Sequence, residues 1–167
     1  MTNQPRTSYL YDLFSRLVKR LSDYYKSGKN TDKDIKHKLR VTEELRDAGF
    51  NALQLRNTES RRLAGIIEDN EHIMAAICGH TLLNGVSVIA ATNKRVIYIN
   101  HHLFTDTLDE FNYISISGIS YSTNGFFWSV TMHSGLGDRT LERIRGVQAK
   151  KFVGYIESLC IDRPYEI

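Results

Sequence analysis

Ala-Thr-Asn-Lys-Arg-Val-Ile-Tyr-Ile, residues 91–99, is the stretch that decides the fold. It joins two apolar runs, Val86–Thr92 and residues 95–100, through the turn residues Asn93 and Lys94. Apolar side chains that alternate along such runs predict strands with a buried face, and a polar turn between them predicts an antiparallel hairpin. We therefore expect this part of the chain to form a β-sheet.

The same alternation continues on both sides of this hairpin and predicts seven strands. Turn residues separate them, notably Asn124-Gly125 and residues 135–138. The predicted strands are 73–80, 86–92, 95–100, 107–111, 114–122, 126–133 and 138–144. After Gly146 the apolar spacing becomes helical, which predicts a C-terminal helix with a broad apolar face. We predict an α+β fold, a partly open seven-stranded antiparallel β-barrel whose open end this helix caps.

The residues before the barrel predict helices. Apolar positions at helical spacing favour one helix over about 8–26 and a second over 31–48, the latter with the stripe Ile35, Leu39, Thr42 and Leu45. A third short helix is predicted from Thr58 to about Asp69. Residues 50–57 fit either a strand or a helical turn and are left unassigned. We accordingly divide the chain into a helical extension, 1–57, and a domain, 58–167.

Charge and composition indicate the cellular compartment and the kinds of surface that the protein could bind. The N-terminus lacks the basic start and apolar core of a secretion signal, and no apolar run approaches the roughly 18 residues that span a bilayer. Cys78 and Cys160 have no metal-ligand spacing, as expected in a reducing compartment. We expect a cytoplasmic protein. Residues 1–57 hold 12 Lys and Arg against 7 Asp and Glu, so attraction to polyanions, including a peripheral contact with a membrane, would come from this part.

Four segments resemble a known family. They are IIEDNEHIMAAICG (66–79), VIAATNKRVIYINHHLF (88–104), EFNYISISGIS (110–120) and KKFVGYIESL (150–159). Together they resemble the bacterial pleckstrin-homology-like (PH-like) domains of the YokE-like group over about residues 60–162. The resemblance implies the PH-like barrel and a role in binding or assembly, since some similar domains look like ring-forming or otherwise oligomeric modules.

The chain shows no recognisable chemistry. The loop 80–85, where phosphoinositide-binding relatives place Lys and Arg, has no fixed positive charge, which disfavours a phosphoinositide. Cys78, His80 and the pair at 101–102 make a metal cluster conceivable, but their spacing matches no ligand signature. No nucleophile stands beside a base. We predict no catalytic residue, no metal and no cofactor, and therefore not an enzyme.

Two surfaces are candidates for interaction. Phe127 and Trp128 belong to an aromatic hairpin whose rings alternate between a core face and an outer face. Basic residues are the second group, in the first predicted helix and at the 93–94 turn: Arg16, Lys19, Arg20, Lys94 and Arg95. We predict a module for self-association or for binding a protein partner. The alternative is attachment to an anionic membrane through the basic helices; these could instead pack on the barrel or on a second subunit. Nucleic acid is disfavoured, because no strand interleaves aromatic and basic residues.

Overall fold

Helices flank a central sheet in the computed structural model, which describes residues 32–82, 85–101 and 106–161. In this part of the chain α1 covers residues 32–47, α2 covers Ala52–Leu55, α3 covers Thr58–Ile66, and α4 covers Gly146–Ile161. The helix predicted over 8–26 lies outside the described residues. No described helix is long and apolar enough to cross a membrane.

The chain divides into two compact units, Met1–His37 and Lys38–Ile167. Residues 32–37 are the described part of the first unit; they are helical, with an exposed ion pair of 3.3 Å between Asp32 and Lys36. The second unit contains the whole sheet. Our division of the chain at residue 58 stays a prediction.

Seven strands form one antiparallel sheet in the order β4-β3-β2-β1-β7-β6-β5 within the described residues. Their bounds are Ile73–His80 (β1), Val86–Thr92 (β2), Val96–His101 (β3), Asp106–Phe111 (β4), Ile116–Thr123 (β5), Phe127–Ser134 (β6) and Arg139–Arg145 (β7). β1 pairs with β2 along its length but with β7 only at His80↔Glu142. The sheet therefore curls at this corner and leaves β4 and β5 as its edges, which confirms the predicted partly open barrel.

The corner requires a glycine. A Cβ at Gly79 would lie 2.5 Å from the carbonyl oxygen of Glu142, closer than any side chain allows. Gly79 thus lets β1 and β7 approach each other where the two halves of the sheet meet.

Two apolar cores lie on the two faces of the sheet. The inner core fills the barrel, and α4 closes it with Ala149, Phe152, Val153 and Ile156, as predicted for the C-terminal helix. The outer core lies between β1–β3 and the helices, where α1 contributes Val41 and Leu45 and the turn that follows it contributes Ala48. From Lys38 onward, α1 therefore packs on the barrel. The predicted stripe is wrong at Leu39, which is 57% exposed, because the face toward the sheet begins at Val41.

Local hydrogen bonds move several predicted boundaries. β5 begins at Ile116 rather than at residue 114, because a 3-10 turn, Tyr113–Ser115, precedes it. The side chain of Asn112 accepts from the Ile114 N–H at 3.2 Å and stabilises this turn. α3 ends at Ile66 instead of Asp69, since Ile67 is extended. In the unassigned segment, Asn51 and Gln54 form a capping box that starts α2.

Candidate interaction surface on the β5–β6 hairpin

The β5–β6 turn is held by side chains of the turn itself. Asn124 Oδ1 accepts from the Phe127 N–H at 3.0 Å, and Thr123 Oγ1 accepts from the Gly125 N–H at 3.1 Å. Gly125 has φ +98°, which glycine adopts without strain. The turn is therefore well defined, and it projects Phe126 away from the barrel with 88% of its surface exposed.

Five apolar residues around this turn form what we call the aromatic surface: Tyr121, Phe126, Phe127, Trp128 and Val147. Tyr121, Phe127 and Val147 are 54%, 48% and 56% exposed. Trp128 is half-buried against the inner core and stacks on Tyr121 with ring centroids 5.2 Å apart. The rings of Trp128 and Phe127 point to opposite faces of the hairpin, as predicted: Trp128 packs on the core and Phe127 faces outward. Phe126 lies in the turn before β6.

Two cavities adjoin the Phe127–Trp128 pair. The larger, about 640 Å³, extends from the turn to the start of α4 and is lined by Thr123, Gly125, Phe126, Phe127, Trp128, Arg145, Gly146, Val147 and Lys150. The smaller, about 330 Å³, is lined by Ser122, Thr123, Asn124, Phe127, Trp128, Ser129, Glu142 and Arg143. Gly146 matters here, because a Cβ on it would lie 3.2 Å from the Trp128 indole nitrogen. The hairpin thus offers apolar recesses next to basic side chains.

Lys94 and Arg95 are engaged within the protein. Arg95 forms a bidentate pair with Glu71, both bonds 3.0 Å long, and a 2.6 Å bond to Glu110. Lys94 donates to Glu68 at 2.8 Å and to Asn70 at 2.6 Å. We call these residues, with Thr92, the ionic network. It ties the β2–β3 turn to the acidic segment before β1 and to β4.

Glu71 is the centre of this network and has no exposed surface. Burial alone would raise the pKa of its carboxyl group. Hydrogen bonds from Arg95, the Glu68 N–H and the Thr92 hydroxyl outweigh burial and hold the pKa below its ordinary value. Glu44 on α1 behaves likewise: bonds from the Ile73 N–H, His72 and Arg40 overcome burial and lower its pKa. Both carboxylates are therefore charged groups that fix the start of β1.

A hydroxyl, an imidazole and a carboxylate also lie in a row on the outer face of β5–β6. Ser120 Oγ lies 2.9 Å from His133 Nε2, and His133 Nδ1 lies 2.9 Å from Asp138 Oδ2. The order of atoms is that of a hydrolase triad. Ser120 and His133 line none of the cavities described here, however, and the side chains of His133 and Asp138 are 40% and 55% exposed. We interpret the row as a cross-strand tie.

A third cavity, about 440 Å³, lies beside β3 and the β6–β7 turn. Its lining residues are Thr81, Leu82, Tyr98, Asn100, Thr107, Asp138, Arg139 and Thr140. Arg139 donates to Asp109 at 2.7 and 3.0 Å and lies over the ring of Tyr98 at 5.5 Å. Its charge is thus already paired, which makes this cavity a weak site for an anion.

Cys78, a candidate metal ligand in the sequence, lies on β1. The Cys78 thiol is buried, which raises its pKa to about 11 and makes it a poor nucleophile and metal ligand. In the described part of the chain, no three His, Cys, Asp or Glu residues are arranged to hold a metal ion. The absence of a metal and of a cofactor stays a prediction. Arg16, Lys19 and Arg20 lie outside the described residues.

Comparison with known proteins identifies the family. The family model described as "Bacterial PH domain" matches residues 67–158, which is more than half of the chain. The chain belongs to the bacterial PH domain family. The predicted subgroup, YokE-like, stays a prediction. PH-like domains commonly mediate binding or interaction and are typically non-catalytic. Membership of the family therefore indicates a general type of role, but it does not identify a binding partner.

Solved structures similar to this chain include a pleckstrin-homology protein. A DUF1696 family protein with a pleckstrin-homology domain from Shewanella loihica shares 18% identity, with 60% of this chain and 91% of that chain covered and a TM-score of 0.40. No curated protein sequence matches this bacterial PH domain.

The geometry shows what sequence reasoning missed. The acidic segment 68–71 and the basic pair 94–95 are each visible in the sequence, but their pairing across about 24 residues is not. The position of Arg145, Val147 and Lys150 beside the hairpin rings is also invisible, because only the fold brings the end of β7 and the start of α4 to the hairpin. No local signal would have found either feature.

Proposed function

We propose that this bacterial PH domain is a non-enzymatic interaction module that associates with a protein, a second copy or a separate partner, through the aromatic surface. The observation that carries this proposal is the contiguity of the exposed rings. Phe126, 88% exposed, lines one cavity together with Phe127 and Trp128, and the Trp128 ring stacks on the exposed Tyr121. Contiguous exposed apolar patches mark interaction sites, while single exposed residues are ordinary.

Aromatic anchors suit this role. Rings at the centre of an interface contribute most of the binding energy, because they bury a large area with few rotatable bonds. Here the turn hydrogen bonds described above already order the backbone that presents Phe126 and Phe127, so little ordering is left for the binding step.

Site-specific photocrosslinking tests the proposal. A photoreactive p-benzoylphenylalanine would be placed at position 126 in the full chain, and in a matched control at position 114, where Ile114 is 83% exposed on the 3-10 turn. Irradiation of producing cells should give a discrete protein crosslink from position 126 and not from position 114. No protein crosslink, or the same crosslinks from both positions, would overturn the proposal. Light scattering on the purified chain would then show whether the crosslinked partner is a second copy.

Attachment to an anionic membrane is the second candidate, supported by the excess of Lys and Arg in residues 1–57. The apolar residues Val41 and Leu45 of α1 face the sheet, so this candidate depends on the helix predicted over 8–26. We expect that Arg16→Gln, Lys19→Gln and Arg20→Gln together would weaken binding to phosphatidylserine vesicles, by about 1 kcal/mol per basic residue. Vesicle binding that is absent, or equal in the variant, would exclude it.

A further inference from the structure

Positively charged side chains outnumber negatively charged ones around the aromatic surface. The hairpin residues 121–129 contain no charged side chain. The residues that line the two adjoining cavities add Arg143, Arg145 and Lys150, against the single acid Glu142. The larger cavity is lined by two cations and no acid. Any partner that buries its surface against these rings must therefore satisfy positive charge at the rim.

These cations are available to a partner. Among the described residues, Arg143, Arg145 and Lys150 form no ion pair, in contrast to Lys94, Arg95 and Arg139. Arg145 donates one long bond of 3.4 Å to the carbonyl oxygen of Gly49. A carboxylate that approached would gain charge-assisted hydrogen bonds without breaking an existing ion pair.

The Trp128 indole N–H adds a polar contact inside the apolar recess. It finds no acceptor within the described residues, and the nearby Gly146 leaves it open to the larger cavity. A half-buried tryptophan normally donates this hydrogen to an acceptor. A carboxylate or a main-chain carbonyl of a bound segment would supply one.

Arg143 is held in an unusual conformation next to the hairpin. Between the pairs Trp128↔Ile144 and Val130↔Leu141, β7 carries two residues opposite the single Ser129, which is a β-bulge. Arg143 occupies it with φ +57°, a strained conformation for a residue with a long side chain. Bulges commonly re-aim a side chain next to a binding site. Here the bulge brings an exposed arginine to the smaller cavity.

From these four observations we propose that the aromatic surface binds an acidic peptide segment of a partner protein that carries a large apolar side chain. The apolar side chain fills the larger cavity, about 640 Å³, beside Phe126, Phe127 and Trp128. The acidic residues of the segment pair with Arg143, Arg145 and Lys150. This inference rests on the proposed function and adds the chemistry of the partner.

Charge and shape favour a peptide over other polyanions. A protein that binds nucleic acid neutralises a row of backbone phosphates with Lys and Arg, whereas three cations with an acid among them surround this hairpin. An anionic bilayer offers no discrete side chain for a recess. An acidic segment with one aromatic or branched aliphatic anchor matches both the recess and the small number of cations.

Peptide display on the full chain tests the inference. A random 12-residue peptide library would be selected on the immobilised protein, and the binders compared in composition with the unselected library. We expect enrichment of Asp and Glu around a Trp, Phe or Leu. No enrichment of any peptide, or binders without net negative charge, would overturn the inference.

Variants of the full chain then locate the binding. For the tightest selected peptide, measured by fluorescence anisotropy, the combination Arg143→Asn, Arg145→Gln and Lys150→Gln should raise the Kd at least tenfold. Asn tolerates the left-handed backbone at position 143, so the fold should be kept. The control Arg61→Gln removes an exposed arginine on α3 and should change the Kd less than twofold. An equal effect of the triple variant and the control would overturn the inference.

The same assay separates this inference from the proposed function. If Phe126→Ser with Phe127→Ser weakens peptide binding but the charge variant does not, the aromatic surface is a binding site and only the acidic chemistry is wrong. If the Phe variant also binds normally, the surface itself is wrong. Tighter binding of phosphatidylserine vesicles or of a 20-residue oligothymidylate through the same cations would likewise overturn the peptide assignment.

Discussion

Two hairpins of this sheet have surroundings opposite to those that their sequences suggest. The β2–β3 turn carries Lys94 and Arg95, residues that ordinarily stay in solvent, yet Arg95 is locked by Glu71 and Glu110. The β5–β6 turn carries Phe126 and Phe127, residues that ordinarily enter a core, yet both are exposed. Whether the side chains of a turn are paired or left without a partner surface therefore depends on what the fold places beside the turn, and not on its own polarity.

The difference has a simple physical origin. The segment between α3 and β1 delivers a fully buried carboxylate to the β2–β3 turn, and a buried carboxylate requires a cation. No described element covers Phe126, while β7 and α4 bring the cations Arg145 and Lys150 to the rim of the hairpin. We interpret the first turn as structural and the second as the interaction surface, and the following changes test that division.

Loss of the buried carboxylate should have the largest effect. Glu71→Ala leaves Arg95 and Thr92 without their shared partner, so we expect the free energy of unfolding to fall by about 2–4 kcal/mol. Glu68→Ala is the matched control in the same acidic segment, where the side chain is 57% exposed, and should cost less than about 1 kcal/mol. Urea titration measures both. Equal losses would contradict a structural role for the ionic network.

Acid should weaken the same network. The pKa values of Glu71 and Glu44 are lowered in the folded protein, so their stabilisation is present above their ordinary value of 4.5 and is lost as the pH falls below it. Thermal unfolding between pH 7 and pH 3 should show a falling Tm in this acidic window. Glu71→Gln should show a shallower fall, whereas Phe126→Ser should keep the slope of the parent. A Phe126 variant with an altered slope would break the division between the two turns.

Removing rings from the hairpin should leave stability almost unchanged. Phe126→Ser removes an exposed side chain, and we expect a change within about 0.5 kcal/mol, measured by urea titration. Phe152→Ala on α4 is the contrasting control, because its fully buried ring should cost about 3–5 kcal/mol. A large loss of unfolding free energy in the Phe126 variant would show that this ring stabilises the fold. That result would contradict its assignment to an interaction surface.

The row of Ser120, His133 and Asp138 should show the smallest effect, because we expect it to have no nucleophilic reactivity. Since Ser120 lines none of the cavities described, we expect a fluorophosphonate serine probe to label the folded protein no faster than Ser120→Ala. Mass spectrometry of the intact protein measures the labelling. Stoichiometric labelling that depends on both Ser120 and His133 would instead make this strand pair a catalytic element.

The sequence predicted the architecture well where periodicity is strong. The seven strands, the closing helix and the ends of β2 follow from alternating apolar residues. Boundaries failed where a single side chain decides them, as at Asn112 before β5. The buried face of α1 was wrong at Leu39, because a helix with apolar residues on several sides can turn either face to a sheet, and only packing selects one.

Only part of the candidate site could be predicted from the sequence. Phe127 and Trp128 could be singled out by residue type alone, while Arg143, Arg145 and Lys150 could not, since they gain meaning only beside the rings. Lys94 and Arg95 resemble a free basic pair in the sequence because Glu71 lies more than 20 residues away.

By itself the sequence determined the order and type of the elements, because hydrophobic periodicity is a local property of the chain. Only the tertiary structure decided which charges are paired, which rings are exposed and which strands form the edges. Those are relations between residues far apart in the chain, set by how β1 meets β7 at Gly79 and by where α3 and α4 pack. The function we propose depends on these relations, and for that reason it could not be read from any one segment.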